Sequence, residues 1–209
     1  MMNQVLSVQF QDTESTERWK VSRTANDKLR GRRHLMPAEI EQLCQVIRKR
    51  SRYPDRDELM VWMAFHHGLR VSELVNLKWQ HVNLKATQLA VKRLKNGIDT
   101  AHPIADKREL MLLRRYHKAQ GRPTSGFVFR NERGSAVSVN GFQKMFGHIS
   151  EQTLGIRWNA HALRHACGTA LLDKGIDLRT IQVYMGHRNI QNTTVYLHES
   201  AKQFDRIEW

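Results

Sequence analysis

Residues 161–198 run HALRHACGTALLDKGIDLRTIQVYMGHRNIQNTTVYLH, and two helices with their stops are legible in them. In the first, Ala162, Ala166, Thr169 and Ala170 are small enough for close helix packing, and Gly175 ends the run. Asp177 is placed to cap a second helix over DLRTIQVYM, which Gly186 stops. Asn192, Thr193 or Thr194 offers the start of a final helix holding Tyr196. The same segment sets a chemical question, because a phenol titrates near 10 and is a weak nucleophile at neutral pH. If Tyr196 attacks anything, other residues must prepare the target.

Upstream, SVNGFQKMFGHISEQTL reads as helix, QGRPTSG as a loop and FVFRNERG as a short extended piece with a turn. Asp106 caps a helix through about Gln120. Lys107, Arg108, Arg114, Arg115 and Lys118 gather on one side of it, and Leu110, Leu112, Leu113 and Tyr116 on the other. That basic side faces either DNA or solvent. Before it the period changes: QLAVKRL and IDTAHPI read as two strands joined at Lys95-Asn96-Gly97, and Asn-Gly is a strong hairpin signal. DELMVWMAFHHG is apolar almost all round, the mark of a buried central helix, closed by Gly68. VSELVNLKW follows as a short helix. An earlier helix starts near Pro37, with Ile40, Leu43 and Ile47 on one face and Arg48, Lys49 and Arg50 in its last turn. The expected fold is α+β, mostly helical, with a small antiparallel β-sheet. Residues 1–34 read as a flexible basic arm, touching DNA or merely solvated, and residues 35–209 as one domain.

The chain has 209 residues, 40% of them hydrophobic, enough for one well-buried core. Lys plus Arg is 34 against 20 Asp plus Glu, a net charge of +14, which suits a polyanionic partner. No apolar run approaches a membrane span of about 20 residues, and the first twenty residues carry no secretory signal. Cys44 and Cys167 make neither a metal spacing nor a disulfide framework, so a reducing cytoplasm is expected.

Three residue groups carry chemistry. His161 and Arg164, three apart on one helix face, combine a proton carrier with a planar fork that fits two phosphate oxygens. His165 lies four from His161, but HALRH lacks the glutamate of a zinc HExxH and Arg164 would crowd a cation, so His165 is expected to pack. In HHGLRVSELVNLKW, Arg70 has two possible partners: Glu73 in a structural ion pair, or a phosphate. On the hairpin, Lys95 precedes the turn, with Lys92 and Arg93 close by as alternatives. Tyr184 is a second tyrosine, expected to pack.

The ordered set Arg70, Lys95, His161-x-x-Arg164, Gly186-His187 and Tyr196 resembles the tyrosine recombinase (phage integrase) family, with HGLRVSELVNLKW similar to its first arginine box and residues 161–198 to its second. RLKNGIDTAHPI and YMGHRNIQNTTVYLH are especially similar to the short invertases of fimbrial phase variation. The resemblance spans about residues 35 to 200. It implies a catalytic domain that cuts and rejoins DNA through a 3′-phosphotyrosyl bond, for inversion or integration and excision, without metal, ATP or other cofactor. By residue it implies Arg70 and Arg164 as clamps on the scissile phosphate, with His187 adding a third donor. His161 would be the general base, Lys95 the proton donor to the leaving 5′ oxygen, Tyr196 the nucleophile and Glu73 a supporting acid. It further implies double-stranded DNA as partner, four protomers on two sites, accessory DNA-bending proteins, and a cytoplasmic place on the nucleoid. Only about 34 residues precede the first box, where larger members carry a separate helical domain. Two other classes compete: a DNA-binding regulator, which has no need of Tyr196, and a metal-dependent hydrolase, suggested by 11 histidines.

Overall fold

Helix α1, Pro37–Arg50, begins with proline at its first position, and the Glu39 carboxylate accepts from the Met36 backbone N–H at 2.9 Å. It buries Ile40, Leu43, Cys44 and Ile47. The protein is described here by a computed structural model covering residues 33–93 and 98–197. These residues all belong to a unit that begins at Arg33. The expected N-terminal arm lies almost wholly outside the described residues.

Helix α2, Pro54–His66, is buried from Asp57 to Phe65 and packs against α1 and three later helices, so the apolar-all-round segment is the central helix. It starts three residues before the apolar run, at Pro54. Gly68 closes it with φ +56°, and a Cβ there would meet the Met185 sulfur at 2.5 Å, so glycine is required both for backbone and for space. The short α3, Val71–Val75, follows, and a 3₁₀ turn at Trp79–His81 leads into the sheet.

The sheet has three antiparallel strands in the order β1 (Val82–Asn83), β2 (Gln88–Val91) and β3 (Thr100–Pro103). Leu89 pairs with His102 and Val91 with Thr100. Strands β2 and β3 are shorter than the sequence pattern suggests. Beyond Val91 the ladder gives way to side-chain closure, with the Arg93 backbone N–H and Lys92 Nζ both donating to Asp99, at 2.9 and 2.7 Å. The turn with Lys95, Asn96 and Gly97 lies outside the described residues.

Helix α4, Lys107–Ala119, is capped as expected, Asp106 accepting from the Glu109 N–H at 2.8 Å. Its basic side is not simply open to DNA or solvent. Arg108 donates to both Glu41 oxygens at 2.6 Å and to Glu58 at 3.1 Å, while Arg48 also holds Glu58, and Arg115 pairs with Asp55 at 2.6 Å. These pairs tie α4 to α1 and α2. Burial alone would raise the Glu58 carboxyl, but Arg48 and Arg108 outweigh it and keep it below the usual range.

Helix α5, Val139–Leu154, runs from the Ser138 cap to a left-handed Gly155. Helix α6, His161–Asp173, packs on α2, and α7, Leu178–Met185, packs on α6 and β3. The Asp177 cap and the Gly186 stop, φ +63°, are both present. Helix α8, Gln191–Thr194, ends before Tyr196, which sits in a turn, so the expected helix around it is not formed. The β-branched run Thr193-Thr194-Val195 disfavours helix, and the Thr193 hydroxyl is engaged with His187. The fold is thus mostly helical with a small antiparallel sheet. No helix among the described residues is long and apolar enough to cross a membrane.

Candidate active site

At the α2–α3 junction, Glu73 is buried and reaches back. Its Oε2 accepts from the Arg70 backbone N–H at 2.9 Å and its Oε1 from Arg70 Nη1 at 2.7 Å. The ion-pair reading of Arg70 therefore holds, yet about 32% of the Arg70 side chain stays exposed. Burial would raise the Glu73 carboxyl, but the Arg70 backbone bond and the charge of Arg93 outweigh it and keep it ionised.

Arg164 comes from the first turn of α6 and is 1% exposed. Its Nη1 donates to the Gly68 carbonyl and its Nη2 to the Met185 carbonyl at 2.7 Å, and Nη1 lies 4.0 Å from Glu73 Oε2. Burial, then Arg70 and Arg93, lower its pKa to about 10, so it remains charged at neutral pH. The two boxes thus converge on one carboxylate.

A chain of rings lies beside this cluster. His161 meets His165 edge-on at 4.9 Å, His165 meets Tyr196 edge-on at 5.9 Å, and His187 stacks near Tyr196 at 6.4 Å. His165 therefore packs between two expected site residues. His161 is exposed on its outer side, yet surrounding protein and the neighbouring His165, Arg164 and Arg70 lower its pKa to about 4. It is a neutral proton acceptor at pH 7. His187 is buried, its Nδ1 is 2.9 Å from Thr193 Oγ1, and burial followed by Arg164 and Arg70 lowers it to about 3.

Tyr196 is 2% exposed, its ring laid on Gly168 so closely that any Cβ there would collide with it. Gly168→Ala should leave α6 intact, since alanine favours helix by about 1 kcal/mol over glycine. It should drive the phenol from its seat. Nitration of Tyr196 by tetranitromethane is expected to rise several-fold in that variant, read by peptide mass spectrometry.

The alternatives to the chosen residues are occupied. Lys92 pairs with Asp99 on the surface, and Arg93 is buried against Glu73 at 2.8 Å. Tyr184 donates its hydroxyl to the His66 carbonyl at 2.9 Å and stacks on His102 at 3.8 Å, and burial pushes its phenol further above the ordinary 10. Lys95 itself lies outside the described residues. So the structure brings together Arg70, Glu73, His161, Arg164, His187 and Tyr196.

A buried polar layer not foreseen from sequence lies beneath. Glu109 sits 2.5 Å from His66 Nδ1 and 2.8 Å from His67 Nε2, His67 is 3.3 Å from His102, and His102 is 2.8 Å from Thr100 Oγ1. Burial would raise Glu109, but His67 and His66 hold it at about 2. The HisHis pair was the only local signal, since the partners come from α4 and β3. Burial, His67 and Arg93 lower His102 to about 3. His102 and His187 therefore have folded pKa values below the unfolded value near 6.5, so the unfolded chain takes up protons first. Their stabilisation is full above pH 6.5 and is lost as pH falls toward 3, at up to about 1.4 kcal/mol per pH unit for each. The melting temperature should drop from pH 7 to pH 5, and His102→Phe, which can keep the stack on Tyr184, should flatten the drop.

Among the described residues no group of three or more His, Cys, Asp or Glu could hold a metal ion. The model of the phage integrase family matches residues 33–203. The chain is 33% identical to the type 1 fimbriae regulatory protein FimE of Escherichia coli (strain K12) over 177 residues, 83% of this chain and 89% of that one. FimB of the same strain is 33% identical over 181 residues, again 83% of this chain and 88% of its own length. Tyrosine recombinase XerA of Pyrococcus horikoshii is 34% identical over 153 residues, 70% of this chain and 52% of that protein. Among solved structures, the XerA recombinase shares the fold with a TM-score of 0.72 at 22% identity, over 84% of this chain and 66% of that one. The XerH site-specific recombinase bound to a palindromic difH substrate, a post-cleavage complex, gives 0.68 at 22% identity, over 82% and 51%.

Proposed function

Because the chain belongs to the phage integrase family, we propose that it is a site-specific DNA recombinase, cutting and rejoining strands through a 3′-phosphotyrosyl intermediate. Tyr196 attacks the scissile phosphate in line. Arg70 and Arg164 bind its non-bridging oxygens, where charge grows, and His187 donates to the same oxygens. His161, neutral at pH 7, takes the phenol proton. Lys95 protonates the departing 5′ oxygen. The new bond conserves the phosphodiester energy, so a partner strand's 5′ hydroxyl can reverse the step without ATP. The outcome is inversion, or integration and excision, by four protomers on two duplexes, helped by DNA-bending proteins. The two arginines and the lysine supply the positive charge and His187 adds a neutral hydrogen-bond donor, so the reaction needs no metal.

The observation that carries the reading is the convergence on Glu73. One buried carboxylate gathers Arg70 and Arg164 from the two boxes, beside a ring chain that ends on Tyr196. With Arg164 and Tyr196 both buried, DNA docking has to lift the turn at 195–197 so that a phosphate can touch both. The test is flank exchange between two duplexes carrying a site selected by binding from a randomised pool, in EDTA. Exchanged flanks are expected. Tight binding with no exchange would favour a DNA-binding regulator, and exchange only with added metal would overturn the chemistry.

A further inference from the structure

The alternation of β2 continues past its end. Leu89 and Val91 face the core, and Arg93, next in the period of two, is buried as well, its side chain 0% exposed. A guanidinium at a core position costs stability wherever its N–H groups find no acceptor. Arg93 Nε has none among the described residues, and the binding falls on its two Nη atoms. Arg93 is held from three elements. Its Nη1 donates to Glu73 Oε2 at 2.8 Å and weakly to the Gly68 carbonyl at 3.4 Å, and its Nη2 donates to the Tyr184 carbonyl at 2.6 Å and weakly to the His67 carbonyl at 3.5 Å. Gly186 lies directly against it, so close that a Cβ would come within 2.7 Å of Nε.

These contacts place Arg93 behind both halves of the site. Through Glu73 it touches the residue that holds Arg70. Through Tyr184 and Gly186 it holds the chain one step before His187. It also changes the charge balance. Glu73 faces three guanidinium groups, those of Arg70, Arg93 and Arg164. Without Arg93 the carboxylate would be neutralised by Arg70 and Arg164 alone, the two cations assigned to the phosphate.

We propose that Arg93 is a positioning residue for strand cleavage: it satisfies Glu73 from the core side, leaving the outer edge of Arg70 to the scissile phosphate, and it fixes the Tyr184–His187 segment against the Gly68 turn. It touches no substrate itself. The proposal rests on the reading of Arg70 as a phosphate-binding residue. A lysine cannot replace it, because one ammonium lacks the planar fork that spans Glu73 and the Tyr184 carbonyl together.

The test is a double-mutant cycle on full-length protein, with Arg93→Lys, Arg70→Ala and the pair, read as the cleavage rate on a nicked site at saturating DNA. Arg93→Lys is expected to lower the rate about 10- to 100-fold, with site affinity changed less than about threefold. In the Arg70→Ala background the same change should cost at least about threefold less than in the unaltered protein, because only the hold on the Tyr184–His187 segment is left to lose. Two results would overturn the inference: Arg93→Lys cleaving within about threefold of the unaltered protein, or the two losses multiplying. If Arg70→Ala alone cleaves normally, the phosphate-binding reading of Arg70 falls and this inference with it; if Arg70→Ala loses cleavage and the losses multiply, only this inference falls. Should Arg93→Lys fail to melt cooperatively, nitrogen-resolved NMR of the unaltered protein decides. Separate, slowly rotating Arg93 Nη signals that persist on adding DNA, while those of Arg70 shift, are expected; rapidly rotating Arg93 signals would overturn it.

Discussion

Arg164→Lys should reduce strand cleavage by about three orders of magnitude and leave DNA binding nearly intact. Loss of one preorganised donor at a developing oxyanion costs roughly 10²- to 10³-fold. Arg164 has a second task that adds to this. Its guanidinium bonds the Gly68 and Met185 carbonyls, so it also joins the end of α2 to the end of α7. A lysine can reach one carbonyl or the phosphate, not both carbonyls and the phosphate. Arg164→Ala goes further, leaving the Met185 carbonyl unpaired at about 1–3 kcal/mol and the Gly68 carbonyl with only the weak Arg93 contact at 3.4 Å. It should also lower the melting temperature. Single-turnover cleavage on a nicked site, with binding measured separately, checks the first claim and a thermal melt the second.

Glu73→Gln should be the most destabilising single change near the site. Removing one partner from a buried ion pair typically costs about 3–5 kcal/mol, and here the carboxylate faces two close guanidinium groups and a third at 4.0 Å. In a chain of this size each kcal/mol moves the melting point by about 2–4 °C, so a fall of roughly 10 °C or more is expected. Sulfate or inorganic phosphate should raise the melting point of Glu73→Gln more than that of the unaltered protein, because an anion can replace the lost charge. The carboxyl is held below its ordinary range. Its contribution is therefore full above about pH 4.5 and lost as pH falls below that. The difference between variant and parent should be flat from pH 6 to 8 and shrink in acid.

What the sequence revealed follows from how local each signal is. The helix stops at Gly68, Gly175 and Gly186 were legible because a left-handed glycine is a one-residue signal, and all three have positive φ. The Asp106 and Asp177 caps were legible for the same reason. The ion pairs of Arg108 with Glu41 and Glu58 were not, since three elements supply them and a helical projection shows only one. Glu109 is similar: it sits in a basic-looking helix, and its partners His66 and His67 arrive from α2. Arg93 is the instructive case. Its burial continues the Leu89-Val91 alternation, but in the sequence it stands only as an alternative to Lys95, because a cation near a hairpin turn invites a reading as a mobile site residue. The ending of α8 before Tyr196 has one local cause, the β-branched run Thr193-Thr194-Val195, and one that no local pattern announces, the Thr193–His187 contact.

The most direct test is the covalent bond itself. The protein is incubated with a nicked duplex whose short 3′-side product diffuses away, then resolved by denaturing electrophoresis, and the adduct is digested and sequenced by mass spectrometry. The account predicts a DNA-linked peptide modified at Tyr196, absent from Tyr196→Phe and retained in Tyr184→Phe. An adduct that survives Tyr196→Phe, or cleavage of the site with no protein–DNA adduct at all, would contradict it.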